Sequence, residues 1–202
     1  MAILKKAESF FRRARGPRTR RGRDDWNREY SEGAWDRLSD LDEMGRYWIA
    51  VGYCATKFDR PAVLDVGCGT GLMEEKLRLL PYSSYLGIDF SLPALVQLRR
   101  RLGQGQRLVC ADLLSFAVRE KFDVIAFMEV FESSTPAAQI LIRYRDYLQP
   151  NGRMIVSLFD GADKTASAGF WKDLSETFRI EDMVQLENVP TKKSWKVALI
   201  AP

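Results

Sequence analysis

Glycines and acidic residues occur together at positions from which they could hold a polar small molecule. The segment 63–77, VLDVGCGTGLMEEKL, contains Gly67, Gly69 and Gly71 directly after an apolar run. Glycine lets the backbone approach a ligand closely, and a carboxylate accepts strong hydrogen bonds from hydroxyl and amino groups. Each of the next three apolar runs is followed by carboxylates. These are Asp89 after the first run, Asp112 after the second, and Glu129 and Glu132 after the third.

The spacing of the glycines disfavours a dinucleotide phosphate site. The dinucleotide motif reads G-x-G-x-x-G, whereas here Gly71 comes one residue early and Leu72 follows it. Glu74 and Glu75 lie in the first turn of the helix expected after the loop. Acids at this position suit the helix dipole but would repel a bound pyrophosphate. A nicotinamide-dependent oxidoreductase is therefore disfavoured.

The chain of 202 residues contains no histidine, which restricts its catalytic chemistry. Histidine is the commonest general base and a frequent metal ligand, so nucleophile–histidine pairs and most zinc sites are excluded. Cys54, Cys68 and Cys110 lack metal-ligand spacing and are odd in number, which is typical of thiols in a reducing compartment. We therefore expect no metal, a cytoplasmic location, and proton transfer by a carboxylate or a phenol.

From residue 62 onward, apolar runs of strand length alternate with helical patterns. Continuous apolar strands separated by helices predict an α/β fold whose mostly parallel seven-stranded sheet is covered on both faces. Ligands of such sheets bind at the carboxyl ends of the strands, which is where the glycines and acids lie. Helices are expected at about 71–80, 92–102, 135–148 and 166–177. The strand candidates are AVLDVG, YLGIDF, RLVCAD, FDVIAFM, RMIVSLF, RIEDMVQLE and KVALIAP.

The segments that precede the sheet differ from it in charge and composition. Residues 1–23 carry nine Lys or Arg against one Glu, a balance of +8, so the remaining residues balance at −4. Apolar residues three and four apart in residues 1–23 predict a basic amphipathic arm. Residues 24–60, rich in Trp and Tyr, are expected to form a helical lid with Asp24 as its N-cap. Residues 61–202 are expected to form the core of a single domain.

These motifs together resemble the class I S-adenosylmethionine-dependent methyltransferases. VLDVGCGTG is similar to the first motif of that family, and Asp89 in YLGIDFS lies eighteen residues beyond Gly71, where the family places its ribose-binding carboxylate. CADLLSF resembles the adenine-side motif, FDVIAFMEVFES the fourth motif, and LQPNGRMIVSLF the element leading into the fifth strand. The resemblance covers about residues 60–160 and implies a three-layer αβα Rossmann-like sandwich with S-adenosylmethionine as cofactor.

The resemblance also implies roles for individual residues around the cofactor. The methionine moiety would lie against the turn that contains Gly67, Cys68, Gly69 and Gly71. Asp65 would orient this turn or reach toward the ammonium group. The remaining implied contacts are Asp89 to the ribose hydroxyls, Phe90 beside the adenine, Asp112 to its exocyclic amine, Leu113 by apolar and backbone contact, Ser91 as an N-cap or ligand contact, and Glu129 at the methionine end or on a neighbouring backbone group.

The fourth motif departs from the family at the position of a substrate-facing histidine. In relatives this motif often reads E-V-L-E-H, whereas EVFES places Ser133 at the last position. Histidine-assisted deprotonation is therefore not carried over, and Glu132 and Tyr30 are the predicted catalytic residues, with Glu129 and Asp160 as further proton acceptors. Tyr30 and Trp35 are expected to close over the methionine end and the acceptor.

The compact plan predicts a methyltransferase acting at oxygen on a small molecule, such as a natural product, a sugar or a lipid-linked acceptor. The basic arm supports alternatives, because it could bind an anionic membrane surface peripherally, or RNA or another polyanion. It also resembles an Arg-rich transit segment, or it packs on the domain as a plain helix. An RNA or protein methyltransferase and a non-catalytic cofactor-binding partner protein therefore stay open, and no oligomeric state is predicted.

Overall fold

A computed structural model of the chain describes residues 22–132, 135–160 and 164–202. Its centre is one seven-stranded sheet in the order β3-β2-β1-β4-β5-β7-β6, in which the first five strands are parallel. The last strand along the chain, β7, runs antiparallel to both of its neighbours. The strands are β1 Ala62–Val66, β2 Ser84–Asp89, β3 Arg107–Cys110, β4 Phe122–Met128, β5 Leu148–Phe159, β6 Arg179–Asn188 and β7 Lys193–Ala201.

Six α-helices and one 3-10 helix lie within the described ranges. None of the described helices is long and apolar enough to cross a membrane. The predicted basic arm falls almost entirely outside the described residues, because these begin at Gly22. The helices are α1 Arg23–Ser31, α2 Leu41–Lys57, α3 Leu72–Leu77, α4 Leu92–Arg99, α5 Ala137–Arg145 and α6 Lys164–Thr177, with the 3-10 helix at Asp36–Ser39.

The three-layer αβα Rossmann-like fold is confirmed, with all seven strands at the predicted places. On one face of the sheet, α2 and α3 contribute buried Tyr47 and Met73 to a cluster shared with β1 and β4. On the other face, α5 and α6 contribute buried Leu141 and Leu174 to a second, larger cluster. The central part of the sheet is apolar on both faces because helices cover both of its faces there.

The N-terminal region differs from the prediction at two points. Asp24 is not the N-cap of α1, because the helix begins at Arg23 with Gly22 as N-cap, and Asp25 accepts a hydrogen bond from the Gly22 N–H. The region is also interrupted at Gly33, whose φ of +72° is a left-handed conformation that a helix cannot continue. As a result α2 lies in the sandwich layer itself, and α1 packs separately against α4.

Two large apolar side chains of α2 lie on the surface. Leu41 is 91% exposed and Trp48 is 47% exposed, whereas Tyr47 and Tyr53 on the same helix are buried. Leu41 and Trp48 are seven residues apart and therefore share one helix face, which points away from the sheet.

The glycine turn is anchored to the neighbouring strand by its backbone. The N–H groups of Gly67 and Cys68 both donate to the carbonyl of Ile88 near the end of β2, at 2.8 and 3.0 Å. Because β3, β2, β1 and β4 are adjacent in the sheet, the residues that follow them meet along one edge. The predicted crevice of glycines and acids is thus built by neighbouring strand ends.

Gly71, the third glycine, is required by packing as well as by its backbone conformation. Its φ is +81°, and a Cβ built on it would lie 2.2 Å from Cδ1 of Leu98 on α4. The helix α3 begins directly after it, so Gly71 lets α4 lie close to the turn.

We expect Gly71→Ala to destabilise the fold by about 2–5 kcal/mol, through left-handed strain of about 1–2 kcal/mol and overpacking of about 1–3 kcal/mol. Gly105→Ala is the matched control, because Gly105 has a φ of +103° but a Cβ at this position would have no atom within 4 Å. Urea unfolding of both variants measures the difference. In a Leu98→Ala background the further loss caused by Gly71→Ala should be smaller, because the overpacking part is gone while the cavity cost of Leu98→Ala is common to both. Equal losses in the two glycine variants would contradict this account.

Candidate functional site

The first two glycines of the turn face the middle of the crevice. Gly67 and Gly69 have φ values of +68° and +51°, so each adopts a conformation that favours glycine. A Cβ on Gly67 would lie 2.7 Å from Cγ2 of Val130, and a Cβ on Gly69 would lie 2.7 Å from Oη of Tyr30. Tyr30 therefore lies directly against the turn.

Asp89 links the end of β2 to the turn and to α4. Its Oδ2 accepts from the Gly69 N–H at 2.9 Å, and its Oδ1 accepts from the Ser91 N–H at 2.8 Å. Burial raises the pKa of Asp89, and the backbone donors of Ser91 and Gly69 oppose the rise. Each carboxylate oxygen can accept more than one hydrogen bond, so acceptor capacity toward a ligand remains.

Asp65 is a buried carboxylate with one unsatisfied oxygen. Its Oδ2 accepts from the Tyr85 hydroxyl at 2.8 Å, while Oδ1 has no hydrogen-bond partner among the described residues. Burial raises the pKa of Asp65 to about 7, and the Tyr85 hydroxyl opposes the rise. An unsatisfied buried acceptor is costly, so this atom is suited to a donor or cation that the protein itself does not supply.

Arg46 is a buried cation that the sequence interpretation missed. It is 1% exposed on α2, and its guanidinium bonds the Glu43 carboxylate and carbonyl and donates to Tyr47 Oη at 3.2 Å. The Nε atom has no hydrogen-bond partner among the described residues and lies 4.0 Å from Oε1 of Glu129. Helical periodicity could have indicated its burial, because Arg46 lies on the same face of α2 as Glu43 and Tyr47, and that face is buried.

The Arg46 site extends into a wider buried ionic cluster. Lys193 at the start of β7 donates to Glu43 at 2.9 Å and to Asp42 at 2.7 Å. The guanidinium of Arg46 also lies 5.3 Å from the ring centroid of Trp195. Opposite charges thus join α2 to the ends of the central strands, which compensates part of the cost of burying them.

Glu129 is held by the protein at the end of β4. One oxygen accepts from the Ser157 hydroxyl, and the other accepts from the Phe159 N–H at 2.9 Å. Burial raises the pKa of Glu129, and the charge of Arg46 opposes the rise. Its φ of +60° is uncommon for a residue other than glycine. Glu129 therefore bonds neighbouring groups at this strand end, one of the two roles considered for it.

Aromatic side chains of the predicted lid segment pack against one another and against Phe90. Trp26 stacks on Trp35 with ring centroids 5.0 Å apart, and its edge contact with Phe90 has a centroid distance of 6.1 Å. Gln97 of α4 donates to the carbonyl of Tyr30 at 2.9 Å. Burial, with Asp89 nearby, raises the pKa of Tyr30 far above its usual value, so its hydroxyl stays protonated and acts as a donor rather than a base.

The other residues predicted at the cofactor have mostly local contacts. Ser91 caps α4, accepting from the Ala94 N–H at 3.5 Å, which favours its structural role. Asp112 is exposed, and its Oδ1 accepts from the Leu114 N–H in a turn after β3. The Leu113 carbonyl accepts from a tyrosine hydroxyl, and buried Cys68 packs with α4. Burial raises the pKa of the Cys68 thiol, which makes it unreactive.

The predicted proton acceptors differ in surroundings. Glu132 is exposed at the rim of the crevice, and its N–H donates to the Thr135 hydroxyl at 3.0 Å. Asp160 is buried, accepts from Ser167 and lies 3.6 Å from Lys196. Ser133 lies outside the described residues. Among the described residues no group of three or more acids and cysteines is placed to hold a metal.

Comparison with known families and sequences shows that the chain is similar to methyltransferases. A family model described as a methyltransferase domain matches residues 64–154. The ubiquinone biosynthesis O-methyltransferase of Bradyrhizobium sp. (strain ORS 278) is 32% identical over 146 residues, which cover 63% of this chain and 57% of that protein. The chain spans 38 to 57% of the length of the first five such relatives.

Solved structures share the fold at low sequence identity. The N-methyltransferase NodS from Bradyrhizobium japonicum WM9, in complex with S-adenosyl-l-homocysteine, has a TM-score of 0.72 at 19% identity and covers 88% of this chain and 96% of its own. Magnesium protoporphyrin IX methyltransferase from Synechocystis PCC 6803, with the same compound bound, has a TM-score of 0.71 at 15% identity and covers 89% and 97%.

Proposed function

Since the chain carries a domain of the class I S-adenosylmethionine-dependent methyltransferases, we propose that it binds S-adenosylmethionine in the crevice above β1, β2 and β4 and transfers its methyl group to a small-molecule acceptor. S-adenosylmethionine supplies an already electrophilic methyl group, so the protein has mainly to orient the reactants and exclude water. The relative that acts in ubiquinone biosynthesis is an O-methyltransferase, which favours oxygen as the acceptor atom.

The observation that carries this proposal is a pair of buried polar atoms, one on an acid and one on a cation, that have no hydrogen-bond partner among the described residues. Oδ1 of Asp65 is suited to an ammonium group, and Nε of Arg46 is suited to a carboxylate. Tyr47 accepts a hydrogen bond from Arg46, and burial raises the pKa of Tyr47 to about 12, with a small contribution from the charge of Asp65. A zwitterionic amino-acid moiety would complement both groups, whereas a phosphate would be repelled by Asp65.

The nucleoside would lie toward β2 and β3. We assign the ribose hydroxyls to Asp89, since both of its oxygens keep acceptor capacity after bonding the Gly69 and Ser91 N–H groups. Phe90 is half-buried within the aromatic lid, which is consistent with a place beside the adenine. Asp112 and Leu113 remain the proposed contacts for the adenine edge.

For the acceptor side, Glu132 and Tyr30 have complementary proposed roles. Glu132 is exposed at the rim, where its carboxylate could take a proton from an acceptor hydroxyl. Tyr30 stays protonated and lies over Gly69, so it would act as a hydrogen-bond donor and as a wall that excludes water. This replaces the role of proton acceptor for Tyr30.

The alternative functions rest on different parts of the chain. An RNA or protein acceptor, and attachment to an anionic membrane, depend on the basic arm in residues 1–23, of which residues 1–21 lie outside the described ranges. A non-catalytic cofactor-binding partner protein would use the same crevice without turnover. A cytoplasmic location remains our proposal from cysteine usage.

Calorimetric titration tests the proposed cofactor and its orientation. We expect saturable binding of S-adenosylhomocysteine and of methylthioadenosine, which has the same nucleoside but no ammonium or carboxylate. Asp89→Asn should weaken both ligands by about tenfold or more, because a charge-assisted hydrogen bond is worth about 1.5–3 kcal/mol. Asp65→Asn should weaken only S-adenosylhomocysteine. Binding of NAD with neither adenosine ligand would overturn the proposal.

The raised pKa of Asp65 predicts proton release on binding. Below its pKa of about 7 the carboxyl is largely protonated in the free protein. A ligand ammonium beside Oδ1 lowers that pKa, so binding at about pH 6 should release up to about one proton, and affinity should rise with pH until about 7. Titrations in two buffers of different ionisation enthalpy measure this proton. Methylthioadenosine is the control, and equal proton release with both ligands would refute the Asp65 contact.

The role of Glu132 is tested by turnover with a panel of hydroxylated aromatic and sugar acceptors. We expect Glu132→Gln to lower kcat by about 10²-fold or more at unchanged cofactor affinity, as the loss of a general base does. Glu132→Asp should retain part of the activity. Undiminished turnover in Glu132→Gln would mean that positioning alone suffices.

A further inference from the structure

A groove runs along the β3 edge of the sheet, on the side away from α2. It has a volume of about 760 Å³, and its apolar floor includes Leu86, Val109, Phe116 and Val118. The connection from β3 to β4, residues 111–121, contains no helix, so this end of the sheet lacks the cover that α5 and α6 give to the rest. Val109 is accordingly 39% exposed in the middle of a strand.

The backbone of β3 has hydrogen-bonding groups that point away from the sheet beside this groove. Within the described part of the chain the strand pairs with β2 alone, and the Ala111 N–H donates to the Asp89 carbonyl on that side. Because successive peptide groups of a strand point to alternate sides, the N–H and C=O groups of Leu108 and Cys110 point outward. An extended chain could therefore pair with β3 while its side chains lie over the groove.

The two edges of the sheet differ in protection. The other edge strand, β6, carries charged residues along its length and has a bulge between Ile180 and Asp182, two features that block edge-to-edge pairing. Among the four residues of β3, only Arg107 is charged, and its ladder to β2 is regular. Of the features that protect edge strands, β3 has only its short length. Its edge is therefore more accessible than that of β6 to pairing with another chain.

The charge around the groove is opposite to that of the rest of the folded body. Residues 99–121, which supply every lining residue except Leu86, carry six Lys or Arg against two acids. All six cations are exposed. Arg107 is paired with Glu120 at 2.5 Å and Arg101 with Glu75 at 3.4 Å, and of the six cations Arg99 and Arg107 line the groove itself. This segment balances at +4, whereas residues 24–202 as a whole balance at −4.

We propose that the β3 edge and its groove form a docking surface for an extended, acidic segment of a partner protein, which adds a strand to the sheet. A second copy of this chain would bring a second cationic edge, and the chain's own arm is also cationic, so charge disfavours both occupants. Nucleic acid would use the cations, but it would leave the apolar floor and the open strand edge unused. The floor also offers no exposed ring for base stacking, since Phe116 is buried.

The test uses fluorescence anisotropy with a labelled peptide, acetyl-Asp-Val-Glu-Val-Glu-Val-Asp-amide, and the full chain. Cys110→Pro removes one outward N–H, and proline is tolerated at an edge strand where the N–H faces solvent. Cys110→Ala keeps the N–H and is the matched control. We expect the proline variant to bind about tenfold more weakly than the alanine variant, and a peptide with Lys at the acidic positions to bind at least about tenfold more weakly than the acidic one. Thermal unfolding checks that both variants are folded.

A second pair of variants tests the contribution of the exposed cations around the groove. Arg99→Glu with Arg119→Glu should weaken the acidic peptide by about tenfold or more, while Arg99→Gln with Arg119→Gln should have a smaller effect. Equal binding by the proline and alanine variants would overturn strand addition. Displacement of the peptide by single-stranded oligouridylate, or dimerisation of the chain lost in Cys110→Pro, would assign the surface to nucleic acid or to a second copy and overturn the proposal.

Discussion

The geometry of the site depends on the hydrogen bonds that the Asp89 carboxylate accepts. By accepting from the N–H groups of Gly69 and Ser91, it ties the end of β2 to the glycine turn and to the start of α4. The carbonyl of Ile88 adds two backbone bonds to the same turn. A turn with three left-handed glycines would be mobile in isolation, and these bonds select one arrangement of it.

A second constraint is the burial of charge near that turn. Asp65 and Arg46 are almost fully out of solvent, and one polar atom of each has no partner in the part of the chain that the structure describes. Leaving such groups unsatisfied costs stability, and a ligand that satisfies both recovers that cost as binding energy. Tyr30, which lies over the turn, would then separate the bound ligand from water. The free protein is less stable because these atoms are unsatisfied, and that free energy contributes to binding when a ligand satisfies them.

The sequence predicted the sheet better than the helices that precede it. All seven strand candidates became strands. The inner strands β1, β2, β4, β5 and β7 were recognisable because strands buried on both faces have apolar runs, whereas the edge strands β3 and β6 are more exposed. The region 24–60 was harder, since its aromatic residues serve two different surfaces. Trp26 and Trp35 pack in the lid, Tyr47 packs on the sheet, and Trp48 lies outside. Helical periodicity shows which residues share a face of a helix, but not against which neighbouring element that face packs.

The sequence by itself determined the α/β fold, the order of its elements and the acids at the strand ends, because these follow from local patterns and from the rule that ligands bind at the carboxyl edge of a parallel sheet. Only the tertiary structure decided that Gly71 makes room for Leu98, that Glu129 bonds Ser157, and that Arg46 is buried. Each of these depends on contact between elements distant in sequence. A side chain's burial and partners, and hence its protonation, are set by that packing rather than by its neighbours along the chain.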